Sequence, residues 1–145
     1  MFFYLDSSVF IKKYFEEIGT DAILKIWKTY SNFAISQVGY SEILGTINKK
    51  QKIEKFTDSS KKSLLKQFKS DWDQMLKINV DHSMIPELDK IHSNHLLRGF
   101  DAVHLASALL LFRELKEEFL FLSADDQLCN AAKKFGFNTG SYHWK

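Results

Sequence analysis

The chain has 145 residues, of which 45% are hydrophobic and 26% charged, a composition typical of one soluble globular domain over residues 1–145. Its formal net charge of +2 is too small to identify a partner. Its one cysteine, Cys129, excludes an internal disulfide and favours a reducing, cytoplasmic compartment. The most apolar run, residues 102–112, is too short to cross a bilayer, so we expect a core helix there and no membrane partner.

The predicted elements alternate between short buried strands and helices. The first half of the chain predicts strand 2–5, helix 7–15, helix 21–31, strand 33–36, helix 38–50 and helix 57–76. The second half predicts strand 78–80, a helix from residue 83, a nearly all-apolar helix 100–115, strand 119–122, helix 126–135 and a final strand or tail 137–142. Continuous apolar strands separated by helices predict an α/β fold, with a central parallel sheet flanked by helices on both faces.

Four acidic side chains lie at the starts of helices or just after strands of this predicted sheet. Asp6 follows the first strand and Asp125 follows the last long strand. Glu42 lies in the first turns of the helix after the second strand, and Asp101 lies in the first turn of the apolar helix. Because ligands bind beyond the carboxyl ends of parallel strands, we expect these four carboxylates to converge on one rim.

Each acid also has an ordinary structural role open to it. Asp6 and Asp125 can cap the helices that follow them, Asp101 can complement a helix dipole, and Glu42 can face solvent. Carboxylates gathered on one rim repel, however, and each resists ionisation unless a cation neutralises the group. Hard oxygen ligands select Mg²⁺ or Mn²⁺ rather than zinc. Such an ion can bind a phosphodiester, lower the pKa of a bound water and stabilise the leaving oxygen.

Other chemistries have less support in the sequence. Cys129 lies on a predicted helix without an obvious His partner, and the glycines match no nucleotide-binding spacing. His92 and His95 have helical spacing, but no thiol or third His lies close enough in sequence for a zinc site. A receiver domain needs an acidic pair after its first strand, and a dehalogenase-like phosphatase needs an Asp where Ser8 stands.

Four blocks occur in order over nearly the whole chain: "YLDSSVFIKKYF", "SQVGYSEIL", "LRGFDAVHLASAL" and "FLSADDQLCNAAKKFGF". Together they resemble the PIN-domain family, and in particular the VapC-type toxin ribonucleases of prokaryotic toxin–antitoxin pairs. The resemblance implies an α/β/α sandwich and an endoribonuclease that depends on Mg²⁺ (or Mn²⁺) and cleaves RNA. It also implies a homodimer and a small antitoxin protein as partners.

Matched block by block, the resemblance implies four catalytic and metal-binding acids: Asp6, Glu42, Asp101 and Asp125. Ser8 matches a hydroxyl residue that supports the first acid, and Ser123 matches the Ser or Thr before the fourth. Asp126 stays an alternative to Asp125 as the fourth acid. His104, one turn beyond the third acid, either orients a carboxylate, contacts phosphate or is a buried His with satisfied hydrogen bonds.

Lysines concentrate between residues 49 and 69, where eight of them stand against only two acids. Alone, such a stretch indicates a solvated helix face. With the family resemblance, Lys49, Lys50 and Lys52 become candidates for tracking an RNA backbone, and Arg98 for a further phosphate contact. Two alternatives stay open: a free-standing PIN-domain nuclease of RNA processing, and a non-catalytic PIN-like module that binds RNA or protein.

Overall fold

A computed structural model describes all residues, 1–145, and contains one four-stranded parallel sheet. Its strands are β1 (Phe2–Leu5), β2 (Phe33–Ser36), β3 (Leu76–Ile78) and β4 (Phe119–Leu122). They lie in the order β3–β2–β1–β4, and all three neighbouring pairs are parallel. β1 and β2 are therefore the inner strands, which agrees with the near-complete burial of both. The predicted α/β fold with a central parallel sheet is confirmed.

Seven helices surround the sheet. They are α1 (Ser7–Phe10), α2 (Thr20–Thr29), α3 (Val38–Glu54), α4 (Asp58–Asp73), α5 (Ile85–Asn94), α6 (Gly99–Glu114) and α7 (Asp126–Lys134). A 3-10 turn, Ile11–Lys13, continues α1, and another, His82–Met84, leads into α5. Pro86 lies in the first turn of α5, where its missing N–H leaves no helical hydrogen bond unmade. None of the seven helices is long and apolar enough to span a membrane.

Alternate residues of the central strand β1 enter two separate apolar clusters. Phe3 and Leu5 pack with side chains of α1–α4, whereas Tyr4 packs with side chains of α5–α7. Because successive side chains of a strand point to opposite faces, helices cover the sheet on both sides. The apolar helix α6 contains eight buried residues, as its sequence predicts for a central helix.

The ends of several elements differ from the sequence expectation. β3 is Leu76–Ile78, two residues before the predicted strand 78–80, because its pairing with β2 fixes the register of this edge strand. The apolar Val80 that suggested the later strand is 48% exposed. Predicted helix 7–15 divides into α1 and a 3-10 turn, and α3 runs to Glu54 rather than to residue 50. In the predicted last strand, only Asn138 pairs with the sheet.

A buried ion pair fastens α4 to the segment that follows β1 and α1. Oδ2 of Asp71 accepts hydrogen bonds from Nζ of Lys13 at 2.7 Å and from the Tyr14 hydroxyl at 2.6 Å. The side chains of Lys13 and Asp71 are only 6% and 10% exposed. Burial and the Asp71 carboxylate together raise the pKa of Tyr14 well above its usual value. These contacts hold Lys13 and Tyr14, at the end of the segment that starts at Asp6, against α4.

The substitution Asp71→Asn is expected to destabilise the fold by about 3 kcal/mol, because it leaves the Lys13 ammonium buried without a counter-charge. Tyr14→Phe removes one neutral donor and is expected to cost only about 1 kcal/mol. Urea denaturation of both variants measures the two losses. Equal losses would show that the ion pair contributes no more than an ordinary hydrogen bond.

Candidate active site

One cleft of about 420 Å³ lies at the carboxyl end of β1. The four acids singled out in the sequence all line it: Asp6, Glu42, Asp101 and Asp125. Ser7, Ser8, Lys12, Arg98 and His104 line it as well. The cleft therefore collects residues from the end of β1, from α1, α3 and α6, and from the β4–α7 connection, as expected for the carboxyl edge of a parallel sheet.

Asp6 is the most enclosed of the four acids, with 3% of the residue exposed. Its Oδ1 accepts from Ser8 Oγ at 2.6 Å and from the Val9 amide at 3.2 Å, so Asp6 also caps α1. Its Oδ2 accepts from Ser123 Oγ at 2.6 Å. Burial raises the pKa of Asp6, and the opposing effects of His104, Ser123 and Ser8 offset it only in part. Asp6 is thus a carboxylate that would gain from a nearby cation.

The two serines beside Asp6 join the ends of β1 and β4. Ser8 Oγ accepts from the Ala124 amide at 2.9 Å while it donates to Asp6. Ser123 Oγ accepts from the Asp125 amide at 3.0 Å while it donates to the other oxygen of Asp6. Each hydroxyl therefore has a fixed direction, because its proton points to the carboxylate and its lone pair to a backbone N–H.

Glu42 is held by side chains from two other helices. Its Oε1 accepts from Ser7 Oγ at 2.7 Å and lies 2.6 Å from Nε2 of His104. His104 is 1% exposed, and its Nδ1 lies 2.8 Å from the Tyr4 hydroxyl. Burial alone would raise the pKa of Glu42, but His104, Ser7 and Arg98 outweigh it, so the pKa lies below the usual value. Glu42 is therefore ionised near neutral pH, and its carboxylate lies in hydrogen-bond contact with His104.

Arg98 spans the remaining two acids. Its Nε donates to Asp101 Oδ2 at 3.0 Å, and its Nη2 donates to Asp125 Oδ2 at 3.4 Å. Oδ1 of Asp125 accepts from the Leu128 amide at 2.9 Å, which caps α7. The contact with Asp101 raises the pKa of Arg98, and the charges of Asp125 and Glu42 add to it. One guanidinium thus partly neutralises two of the four acids, and 80% of its side chain is exposed to solvent.

Asp125 and its neighbour Asp126 differ sharply in environment. The Asp126 side chain is 85% exposed and pairs with Lys145 Nζ at 3.1 Å. It lines a separate depression of about 390 Å³ around Cys129 and Trp144. Asp125, and not Asp126, faces the cleft.

The family model of the PIN domain matches residues 3–134. The chain belongs to the PIN-domain family. Two curated relatives, ribonuclease VapC45 of Mycobacterium tuberculosis strain CDC 1551 / Oshkosh and ribonuclease VapC49 of strain ATCC 25618 / H37Rv, are similar to this PIN domain. Each is 26% identical over 106 residues, which cover 73% of this chain and 74% of the relative.

Solved structures with the same fold include a toxin–antitoxin complex. FitAcB from Neisseria gonorrhoeae superposes with a TM-score of 0.66 at 12% identity, over 90% of this chain and 93% of that chain. VapBC2 from Rickettsia felis, bound to a DNA fragment from their promoter, gives 0.62 at 12% identity over the same shares. A toxin–antitoxin complex from Klebsiella pneumoniae gives 0.59 at 14% identity, over 84% and 85%. The resemblance to VapC-type PIN domains stated from the sequence is confirmed.

The oxygen donors of this PIN domain fit a hard divalent cation. Four carboxylates line one cleft, and carboxylate oxygens are the usual ligands of Mg²⁺ and Mn²⁺. In the present arrangement, no three acidic, His or Cys side chains are grouped closely enough to hold an ion. Instead, Arg98 forms ion pairs with Asp101 and Asp125. Asp6, Glu42, Asp101 and Asp125 would hold the ion once the solvent-exposed guanidinium has left the last two.

The positively charged candidates divide between the cleft and the outer surface. Arg98 lines the cleft, whereas Lys49 and Lys52 are exposed on α3 and do not line it. Lys50 reaches the cleft edge through Glu17, whose Oε2 lies 3.5 Å from the Lys50 Nζ. The other oxygen of Glu17 accepts from Lys12 Nζ at 3.0 Å, and both Glu17 and Lys12 line the cleft.

Four residues of the site were missed by the sequence reasoning. Ser7 stands in the first block, but only its neighbour Ser8 was assigned a supporting role. Tyr4 was counted among the apolar residues of β1, because nothing in the sequence indicates that its hydroxyl meets His104, 100 residues away. Lys12 and Glu17 carry no signal at all, since their pairing depends on a 3-10 turn that the sequence pattern did not predict.

The raised pKa of Asp6 predicts a specific dependence of stability on pH in the metal-free protein. Below the ordinary Asp pKa of 3.8, Asp6 is protonated in both the folded and the unfolded state and contributes nothing. As the pH rises towards the higher folded-state value, the unfolded chain ionises first, so the free energy of unfolding falls. Asp6→Asn removes this loss. We expect a higher melting temperature for the variant at pH 8 and little difference at pH 3, measured in EDTA.

The expected change in melting temperature depends on chain length. For a chain this long, a change of about 1 kcal/mol in the free energy of unfolding shifts the melting temperature by roughly 3 °C. Asp126→Asn is the matched control, because Asp126 is exposed and should give the wild-type pH profile. Parallel profiles for wild type and Asp6→Asn would contradict the assigned desolvation of Asp6.

Proposed function

We propose that this PIN domain is a metal-dependent endoribonuclease that hydrolyses RNA phosphodiester bonds, and that it acts as the toxin of a toxin–antitoxin pair. The observation that carries the proposal is the single cleft lined by four carboxylates at the carboxyl edge of the sheet. The PIN family match and the relatives named VapC ribonucleases support the reaction class. On this proposal, residues 1–145 form one nuclease domain.

In the proposed reaction, Asp6, Glu42, Asp101 and Asp125 hold Mg²⁺ or Mn²⁺ in the cleft. When bound, such an ion supplies positive charge that polarises the phosphodiester and lowers the pKa of the attacking water. Ser8 and Ser123 fix both oxygens of Asp6, so this ligand needs little rearrangement. Glu42 stays ionised and its Oε2 accepts no hydrogen bond from the protein, so it can bind the ion or accept a proton from water.

The cations near the cleft are the proposed contacts for the RNA backbone. Lys12 and Lys50 flank the cleft edge beside Glu17, and Lys49 and Lys52 continue along the exposed side of α3. Arg98 would be available for a phosphate if an ion held its two carboxylates in its place. Contacts of this kind give affinity that depends on salt and carries no sequence information.

Two protein partners complete the proposal. A small antitoxin fits the neighbouring structures, which include a toxin–antitoxin complex. Two large apolar side chains that flank Arg98 in sequence, Leu96 and Phe100, are 91% and 59% exposed and offer a protein partner an apolar contact. We also propose a homodimer, in line with the family.

The substitution Asp101→Asn is expected to lower RNA cleavage by about 100-fold or more, because a lost site charge removes several kcal/mol of transition-state stabilisation. Asp125→Asn should behave alike, since Asn can still cap α7. Asp126→Asn is the matched control and should keep wild-type cleavage. Mapping of new RNA 5′ ends during brief expression of each variant reveals the substrate along with the cleavage. We expect new 5′-phosphate ends with wild type and Asp126→Asn only.

Identical maps for wild type and Asp101→Asn would remove the enzyme assignment and leave the non-catalytic RNA- or protein-binding module. Cleavage that is lost in Asp126→Asn but kept in Asp125→Asn would overturn the assignment of the fourth acid. Cleavage that does not arrest growth, and that no small co-expressed protein suppresses, would favour the free-standing RNA-processing nuclease.

The substitution Lys50→Gln is expected to weaken RNA binding and to make it less sensitive to salt. For a single strand, one lost phosphate contact reduces the slope of log K against log salt by about 0.7. Lys116→Gln is the control, because Lys116 precedes β4 and so lies at the amino-terminal ends of the strands, away from the cleft. Fluorescence anisotropy with a labelled single-stranded RNA, at several salt concentrations, measures both slopes. Equal slopes for the two variants would remove Lys50 from the proposed RNA path.

A further inference from the structure

The Tyr4 hydroxyl is a fully buried polar group with two hydrogen-bonding partners. It accepts from the Ser36 amide at 3.1 Å and lies 2.8 Å from Nδ1 of His104. The Tyr4 ring stacks on Phe121, with centroids 5.3 Å apart and planes 3° apart, which leaves the hydroxyl little freedom to move. A tyrosine hydroxyl has one proton to donate. The Ser36 N–H is itself a donor, so of these two partners only His104 Nδ1 can accept the Tyr4 proton.

The direction of the hydrogen bond from Tyr4 to His104 decides which ring nitrogen of His104 carries the proton. If Nδ1 were protonated, it would face the Tyr4 hydroxyl as a donor, and the phenolic proton would lose the acceptor that it has in the structure. A buried donor without a partner costs about 1–3 kcal/mol. With Nδ1 as acceptor, the proton lies on Nε2, which is 2.6 Å from Glu42 Oε1. A donor at Nε2 is also what the Glu42 carboxylate requires.

The hydrogen bonds to Glu42 fall on one of its two oxygens. Ser7 Oγ and His104 Nε2 both contact Oε1, and no protein group donates to Oε2. Glu42 is partly exposed and lines the cleft, so the unoccupied oxygen is the one available there.

We propose that Tyr4 selects the Nε2–H tautomer of His104, and that this tautomer holds Glu42 by Oε1 so that Oε2 stays free for the cleft. Tyr4 and His104 are then positioning residues, because neither touches the reacting atoms. The value of Oε2 as a ligand or proton acceptor rests on the proposed nuclease function, whereas the tautomer itself does not.

The substitution Tyr4→Phe tests the proposal because it keeps the stacked ring and removes only the hydroxyl. Imidazole ¹⁵N resonances of the metal-free protein report the tautomer directly. In wild type, we expect His104 Nδ1 to appear as an unprotonated acceptor and Nε2 as protonated. In Tyr4→Phe, only the Glu42 carboxylate still favours the proton on Nε2, so we expect a minor population with the proton on Nδ1. We also expect Mn²⁺ affinity, measured by calorimetry, to fall about tenfold, the size typical for a lost support behind a ligand.

Two further variants separate this effect from a general loss of stability. Tyr14→Phe also removes a part-buried hydroxyl, but that hydroxyl bonds Asp71 and should leave the His104 resonances and Mn²⁺ affinity unchanged. His104→Gln supplies an amide donor to Glu42 that needs no tautomer. Adding Tyr4→Phe to His104→Gln should therefore cost less than about twofold in Mn²⁺ affinity, against about tenfold in the wild-type background.

A wild-type His104 that carries a proton on Nδ1, as the other tautomer or as the doubly protonated ring, overturns the inference. So do His104 resonances that are the same in wild type and Tyr4→Phe. Wild-type protein that binds no Mn²⁺ and cleaves no RNA would instead overturn the proposed function, while the tautomer measurement would still decide the role of Tyr4.

Discussion

The enclosed carboxylate of Asp6 is the constraint around which the cleft is organised. Its two oxygens accept hydrogen bonds from the Ser8 hydroxyl, the Val9 amide and the Ser123 hydroxyl, so three donors bind one side chain. Because those donors belong to α1 and to the end of β4, satisfying Asp6 also joins two strand ends and starts a helix. The donors do not remove the cost of burial, since the pKa of Asp6 is still raised. The fold thus holds a charge that it does not fully compensate, which is the condition in which a cation gains most from binding.

The other three acids are compensated in different ways, and the difference follows from where their elements lie. Glu42 comes from the α1–α4 face of the sheet, and His104 reaches it from the α5–α7 face, so their contact closes the two layers over the end of β1. Asp101 and Asp125 are both paired with one exposed guanidinium. Asp6 and Glu42 are therefore held by fixed donors within the fold, Asp125 by the Leu128 amide together with Arg98, and Asp101 by the exposed Arg98 guanidinium.

Strand ends were predictable from sequence because a run of large apolar residues that stops at an acid is typical of the carboxyl edge of a parallel sheet. Asp6 and Asp125 followed from that rule, and the layered α/β fold followed from the alternation of buried strands with helices. The edge strand β3 was misplaced, since its position depends on pairing with β2 and not on its own apolar residues. Tyr4 was beyond prediction for a similar reason: a strand tyrosine looks apolar until a histidine from a distant helix is known to meet its hydroxyl.

Buried residues behind the acids of the site also determine how those acids are oriented. A carboxylate ligand can be recognised by its spacing within a block, but the direction of its hydrogen bonds is set by groups far away in sequence. Ser36, Tyr4, His104 and Glu42 form one chain of hydrogen bonds that begins at a backbone amide of β2 and ends at the cleft. With the proposed tautomer, each link has a single direction, and the first donor is a backbone N–H. The sheet thereby determines the position of Glu42, and it also determines that Oε2 is the oxygen free to bind an ion or accept a proton.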